Sequence, residues 1–240
     1  MKLCVIGDPV RHSRSPAIHA ALMEQAGIAG TYEAVTVCTG ELAAFVERAR
    51  AGDYDGFNVT MPHKEAIIPL LDGLAPSAAA IGAVNTVVVR HGQAIGCNTD
   101  GEGFIRSLPF TPKRALVLGN GGAAKAVCYA LRQHSVETVV CCRHPRKDEL
   151  PWEKLHQAVQ DTELLINATP LGMTGKPDFS DIRFLQQLPA GAVVYDLIYE
   201  PQKTALLRQA EELGYPVIGG LALLHSQAKL AFDLFTGADI

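Results

Sequence analysis

The stretch Val117-Leu118-Gly119-Asn120-Gly121-Gly122-Ala123-Ala124-Lys125-Ala126-Val127 sets an apolar strand, a glycine turn and the opening of a helix in one line. The run Arg114 to Leu118 predicts a buried parallel strand, and residues 121 to 134 predict a helix. Gly119 and Gly121 allow a tight turn and close backbone approach, and a helix N-terminus presents free amides and partial positive charge. That combination suits a dinucleotide pyrophosphate, with Gly119, Asn120, Gly121, Gly122 and Ala123 as its contacts. An ordinary strand-to-helix turn has the same pattern, so the context matters. The next predicted strand, Thr138 to Cys142, ends where an acidic residue would accept the ribose 2′-hydroxyl of NAD. Arg143, Arg146 and Lys147 stand there instead. Arginine forks match phosphate bidentately and stack on adenine, so the cluster predicts the 2′-phosphate of NADP, although a solvated basic turn has the same composition.

Working outward, apolar runs of strand length alternate with helical patterns along the whole chain, as in a mostly parallel sheet covered by helices. The first half predicts strands at 2 to 7, 31 to 38 and 55 to 60, helices near 15 to 27, 40 to 50 and 63 to 71, and a hairpin at 84 to 97 turning at His91-Gly92. The second half predicts strands at 114 to 119, 138 to 142, 164 to 168, 193 to 197 and 216 to 218. Two prolines in Ser107 to Lys113 punctuate the pattern as a linker does. The expected fold is therefore α/β in two domains: an N-terminal α/β substrate domain, 1–107, and a doubly wound Rossmann-type NADP domain, 108–221. A final helix near Leu221 to Phe235 is apolar on most faces, so it is expected to pack between the domains or to return to the first one, which the segment 222–240 would then join.

Composition narrows the partners. The 240 residues are 48% hydrophobic with a net charge of -4, which supplies ample core and argues against nucleic-acid or anionic-membrane binding. Six cysteines lie scattered, mostly in apolar strands, without zinc or disulfide spacing, and read as reduced core residues; no metal site is expected. The opening Met-Lys-Leu-Cys-Val-Ile-Gly reads as a strand, not a signal peptide, and a cytoplasmic protein with small-molecule partners is expected.

Polar residues of the first half gather at strand ends, the edge where open sheets bind ligands. His12-Ser13-Arg14-Ser15-Pro16 places two hydroxyls near helix amides and suits a carboxylate, though Ser15 also fits a plain N-cap before proline. Strand alternation puts Asn58 and Thr60 on one face, with Lys64 beyond a proline turn; a solvated surface lysine is the alternative. Asn85-Thr86 and Asn98-Thr99-Asp100-Gly101 end the hairpin, where asparagine and aspartate also serve as turn formers.

Together with Gly7-Asp8-Pro9, His19, Gly82-Ala83-Val84-Asn85-Thr86, Asn167-Ala168-Thr169-Pro170-Leu171-Gly172-Met173, Asp196-Leu197-Ile198-Tyr199 and Gly220-Leu221 with Gln227, these motifs make nearly the whole chain resemble the shikimate dehydrogenases. The resemblance implies NADP-dependent interconversion of shikimate and 3-dehydroshikimate by a monomer or homodimer. It assigns Ser13, Ser15 and Tyr199 to the substrate carboxylate and Asn58, Thr60, Lys64, Asn85, Asp100 and Gln227 to the ring hydroxyls. It makes Lys64 and Asp100 the catalytic pair and sets Asn167, Thr169, Met173 and Gly220 on the nicotinamide side. Departures are Cys142 for a usual asparagine, Lys147 for a second arginine with Arg146 one position early, Leu223 for a common methionine, and a chain that stops at Ile240 without the further helix most members have. A paralogue acting on quinate or an amino analogue, a folate-type methylene dehydrogenase and a non-catalytic metabolite sensor are the alternatives. Neither of the last two accounts for the serine pair together with Lys64 and Asp100.

The basic cluster predicts NADP preference with the largest share from Arg143. Losing a charge-assisted contact there should cost about 1.5 to 3 kcal/mol. Steady-state kinetics of Arg143→Ala should show this in the NADP KM, with NAD turnover barely changed.

Overall fold

The computed structural model describes residues 1–237, and the chain forms two compact units, Met1–Gly103 with His225–Ile240 and Phe104–Leu224. Unit 1 begins with β1 (Lys2–Gly7), α1 (Ser15–Ala26), β2 (Thr31–Thr36), α2 (Leu42–Arg48), β3 (Gly56–Val59) and α3 (His63–Ala66). It continues with β4 (Gly73–Leu74), α4 (Pro76–Ile81), β5 (Thr86–Arg90) and β6 (Gln93–Cys97). The sheet order is β2-β1-β3-β5-β6-β4. β1 lies parallel to β2 and β3, whereas β5 runs antiparallel to β3 and β6. β1 is apolar at every central position because both its faces are covered. Cys4 and Ile6 pack with Phe45, Phe57 and Val59 on one side, and Leu3 packs with Met23 and Phe232 on the other. The hairpin turns at His91-Gly92, both at positive φ (53° and 75°), as a two-residue turn matched to strand twist requires.

Two local readings differ from expectation. The helix expected over 63 to 71 stops at Ala66, and Ile68–Leu70 continues only as a 3-10 turn, because Pro69 has no amide to donate. β4 and α4 were not expected at all. They are too short for periodicity, and their only signals are Pro76 in the first turn of α4 and Gly82 in the left-handed C-cap.

Unit 2 is entered through α5 (Asp100–Ser107), which crosses the division. There follow β7 (Arg114–Leu118), α6 (Gly122–Gln133), β8 (Glu137–Cys142), β9 (Leu150–Pro151), α7 (Leu155–Ala158), β10 (Leu164–Asn167), β11 (Val193–Asp196), α8 (Ala205–Glu212) and β12 (Val217–Ile218). All pairs are parallel in the order β9-β8-β7-β10-β11-β12, the doubly wound arrangement, which reverses direction between β7 and β10. Alternation along β7 serves two cores. Leu116 and Leu118 join Leu165, Phe184, Val194 and Leu207, while Ala115 and Val117 join Val127, Leu131, Ile166 and Tyr195.

α9 (Leu221–Thr236) also crosses the division, and this explains its apolar surface. Leu223 packs in unit 2 with Val117 and Tyr195, whereas Phe232 and Phe235 flank His19 in unit 1. The divisions thus fall inside α5 and α9, a few residues from 107/108 and 221/222. Residues 238–240 of the expected C-terminal segment lie outside the described residues. All six cysteines are free; Cys38 is exposed and is not the core residue it was expected to be, because it sits in the turn after β2.

Gly56 lets α9 close on the sheet. A Cβ there would lie 2.6 Å from the Phe235 ring and 2.9 Å from the Val87 carbonyl, and that carbonyl is held in the β3–β5 ladder. Gly56→Ala should therefore destabilise the protein by about 1 to 3 kcal/mol through overpacking. An unchanged midpoint in thermal unfolding would contradict this packing.

Candidate active site

In unit 1 the polar ends of β3, β5 and β6 converge on one carboxylate. Asp100 is the first residue of α5 and is 6% exposed. Its Oδ2 accepts Lys64 Nζ at 2.5 Å and its Oδ1 accepts Asn85 Nδ2 at 2.8 Å. Three connections bring these groups together: α3 follows β3, Asn85 precedes β5, and Asp100 follows β6. The Val84 amide donates to the Lys64 carbonyl at 2.8 Å, which ties α3 to the Asn85 segment. Asn98 makes the turn bond expected of such a residue, accepting the Asp100 amide at 3.0 Å, and donates to the Ala83 carbonyl at 2.9 Å. Turn formation and ion pairing therefore coexist. A buried carboxylate needs such donors, and a lysine ammonium with little exposure needs such an acceptor.

Counting donors and acceptors assigns what remains for a ligand. Asn58 Nδ2 donates to the Asn85 carbonyl (3.1 Å) and to Thr86 Oγ1 (3.0 Å), and its Oδ1 accepts the Tyr32 hydroxyl at 2.7 Å. Asn58 keeps one acceptor lone pair, suited to a hydroxyl donor. Asn85 is more fully engaged, because its Oδ1 also accepts the Thr99 amide at 2.8 Å and its Nδ2 reaches Thr99 Oγ1 at 2.9 Å. Gln227 on α9 sits at the edge of this group, with Oε1 3.4 Å from Asn85 Nδ2. Thr60 lies just beyond β3, its amide donating to the Ile6 carbonyl at 2.9 Å. Ser13 and Ser15 stand together at the start of α1. Arg14, not Ser15, is the N-cap residue; Ser13 Oγ accepts the Ser15 amide at 3.2 Å, and Ser15 is buried as the first helical residue. Tyr32 stacks on His19 with centroids 4.2 Å apart, and burial lowers the His19 pKa to about 4, so that ring is neutral at physiological pH.

In unit 2, Gly119 takes φ 99°, and its amide donates to the Cys141 carbonyl at 2.9 Å, extending the β7–β8 ladder to the start of the turn. Gly121 is the N-cap of α6, and no side chain caps that helix, so its first-turn amides suit an anion. Asn120 spends both amide hydrogens on protein, at 3.1 Å to the His144 carbonyl and 2.8 Å to Glu149 Oε2. Gly122 and Ala123 open α6, and Arg143, Arg146 and Lys147 form an exposed loop after β8. Asn167 ends β10. Its Oδ1 accepts the Thr169 amide (3.0 Å) and hydroxyl (2.7 Å), and its Nδ2 donates to Asp196 Oδ1 at 3.0 Å. Met173 closes a turn on the Pro170 carbonyl at 3.2 Å, and the Gly220 amide donates to the Ile198 carbonyl at 3.1 Å. Tyr199 belongs to unit 2, beyond the end of β11, whereas Ser13 and Ser15 belong to unit 1.

Sequence reasoning missed Tyr32, Glu149 and the part played by Asp196. No spacing rule points to Tyr32 or Glu149, since both act through folded contacts. Asp196 ends a strand in the same manner as Asn167, and that was its available signal.

A doubly wound nucleotide-type unit, joined to a unit whose strand ends gather a lysine, an aspartate and several amides, defines a two-domain α/β protein of the dinucleotide-binding class. The pattern of the shikimate dehydrogenase substrate binding domain matches residues 5–87. The chain is 40% identical to a shikimate dehydrogenase (NADP(+)) of Synechococcus sp. (strain JA-3-3Ab), over 99% of this chain and 89% of that one. Shikimate 5-dehydrogenase of Thermus thermophilus, solved in complex with NADP(H) and shikimate, superposes with a TM-score of 0.89 at 36% identity, covering 99% of this chain and 94% of that one. The Listeria monocytogenes enzyme, solved with shikimate and NAD, gives a TM-score of 0.83 at 31% identity, covering 100% and 92%. The chain belongs to the shikimate dehydrogenase family.

Asp196 is fully buried among Asn167 Nδ2, the Ile198 amide (3.0 Å) and the Thr204 hydroxyl (2.6 Å). Burial raises its pKa from 3.8 to about 6, against the opposing pull of these donors. Between those values the folded state holds the proton more tightly than the unfolded chain does. This group's contribution is therefore full below 3.8 and is lost as pH rises through about 6. Denaturant titrations across that window should show this falling component in the parent and not in Asp196→Asn.

Proposed function

We propose that the protein catalyses the reversible NADP(H)-dependent reduction of 3-dehydroshikimate to shikimate, a step of chorismate and aromatic amino acid biosynthesis. The observation that supports it most directly is the Lys64–Asp100 pair at 2.5 Å, braced by Asn85, in a chain of this family. The nucleotide-binding features fit NADP: a glycine turn, uncapped first-turn amides of α6, and a basic loop after β8. Gly119, Gly121, Gly122 and Ala123 would hold the pyrophosphate, with Arg143, Arg146 and Lys147 at the 2′-phosphate and Asn167, Thr169, Met173 and Gly220 toward the nicotinamide. When bound, NADP(H) supplies the hydride.

The chain's own residues supply charge and position. As the ketone is reduced, negative charge grows on its oxygen, and the Lys64 ammonium stabilises that charge and donates the proton at Nζ. Asp100 holds the ammonium, and Asn85 holds Asp100 through its other oxygen. Asn58 accepts a ring hydroxyl at Oδ1, while Thr60 and Gln227 complete the ring contacts. Ser13 and Ser15, at the start of α1, bind the substrate carboxylate, with Tyr199 as the further hydroxyl. We read the protein as a cytoplasmic monomer or homodimer; no described helix is long and apolar enough to cross a membrane.

The first test is reduction of NADP on adding shikimate to the purified protein, followed at the nicotinamide absorbance band; no turnover would refute the proposal. Lys64→Ala should lower kcat by on the order of 10² to 10⁴ with the NADP KM nearly unchanged, the range for a positioned general acid. Lys64→Ala combined with Asp100→Ala should be little worse than the poorer single variant, since groups acting as a unit are not additive. Retention of half the parental kcat by Lys64→Ala would refute its role.

A further inference from the structure

One carboxylate ties the glycine turn to the basic loop. Glu149 Oε2 accepts Asn120 Nδ2 at 2.8 Å, the Arg146 amide at 2.9 Å and the Cys142 thiol at 3.3 Å. Its Oε1 lies 3.8 Å from the Arg146 guanidinium. Asn120 gives its second bond to the His144 carbonyl, inside the same loop. The Glu149 side chain is only 14% exposed, whereas Arg143, Arg146 and Lys147 are all exposed. The donors come from the turn, from the last residue of β8 and from the loop, so a single oxygen sets the path of the chain from Arg143 to Glu149. Burial pushes the carboxyl pKa up, but the Arg146 amide, Asn120 and Cys142 outweigh it and leave the acid below its usual value.

We infer that Glu149 is the positioning residue for cofactor selection: it anchors the Arg143–Lys147 loop to the glycine turn so that the loop's cations are presented to the 2′-phosphate of NADP. This rests on the reading of that loop as the 2′-phosphate site. An exposed loop of long basic side chains loses binding free energy to its own disorder, and anchoring its backbone reduces that loss. A carboxylate this close to a bound phosphate would by itself repel it. Here its charge is offset by three donors on Oε2 and by the Arg146 guanidinium 3.8 Å from Oε1.

The experiment compares kcat/KM for NADP and for NAD, with shikimate as the reductant, in the full-length parent, Glu149→Ala and Glu149→Gln. The ratio between cofactors in one preparation is insensitive to the folded fraction, which a purely structural role would change. In Glu149→Ala the NADP/NAD ratio should fall by about tenfold, through the NADP KM, with NAD turnover and the shikimate KM within about twofold of the parent. Glu149→Gln keeps one acceptor oxygen but loses charge assistance, and its ratio should fall by about threefold. A ratio equal to the parent's in either variant overturns the inference, and a ratio above it shows that the carboxylate acts only by repulsion. A parent without NADP preference would instead refute the reading of the basic loop.

Discussion

Taking a carboxylate out of water is costly unless donors replace the lost hydration, and that requirement shapes both units at the carboxyl ends of their strands. Asp100 meets it with an ammonium and an amide drawn from two other connections of the unit 1 sheet. Asp196 meets it with neutral donors only, from Asn167, Ile198 and Thr204, and so its pKa rises toward 6. The donors to Asp100 come from two separate connections, and those to Asp196 come from the end of β10 and from the connection between β11 and α8. Satisfying one acid therefore fixes the relative placement of several segments.

The two acids differ in their surroundings. Beside Asp100 stands Lys64, its Nζ 2.5 Å from Oδ2, at the edge of a polar group. Around Asp196 there is no cation among its hydrogen-bond partners; the hydroxyl of Thr204 accepts the Leu207 amide at 3.3 Å, so the acid is coupled to the start of α8. That network organises Thr169 and the loop after β10, at the carboxyl edge of the sheet beside the reversal in strand order. Glu149 repeats the device at the other side of the reversal in strand order, between the glycine turn and the loop after β8.

The fold was legible where a pattern is local. Apolar runs at β1, β7 and β10 specify strands buried on both faces, the glycine turn specifies a strand-to-helix corner, and His91-Gly92 specifies a two-residue hairpin. β4 and α4 were not legible because elements that short show no periodicity, and the expected helix after β3 overran because a proline interrupts it without changing its apolar pattern. Lys64 and Asp100 were legible as candidates from motif and position, yet a lysine and an aspartate 36 residues apart do not specify an ion pair.

What the sequence determined by itself is the alternation of strands and helices, the glycine turn with its basic sequel, and the residue types gathered at strand ends, since each follows from local periodicity and backbone freedom. Only tertiary structure decided which of those polar groups remain available. Asn120 and Asn85 spend their hydrogens inside the protein, Asn58 keeps one lone pair, and Glu149 turns back from beyond the basic loop to hold it. The physical reason is that a hydrogen bond is a pairwise property of atoms brought within about 3 Å by the packing of distant segments, and no residue's own sequence neighbourhood records its partner.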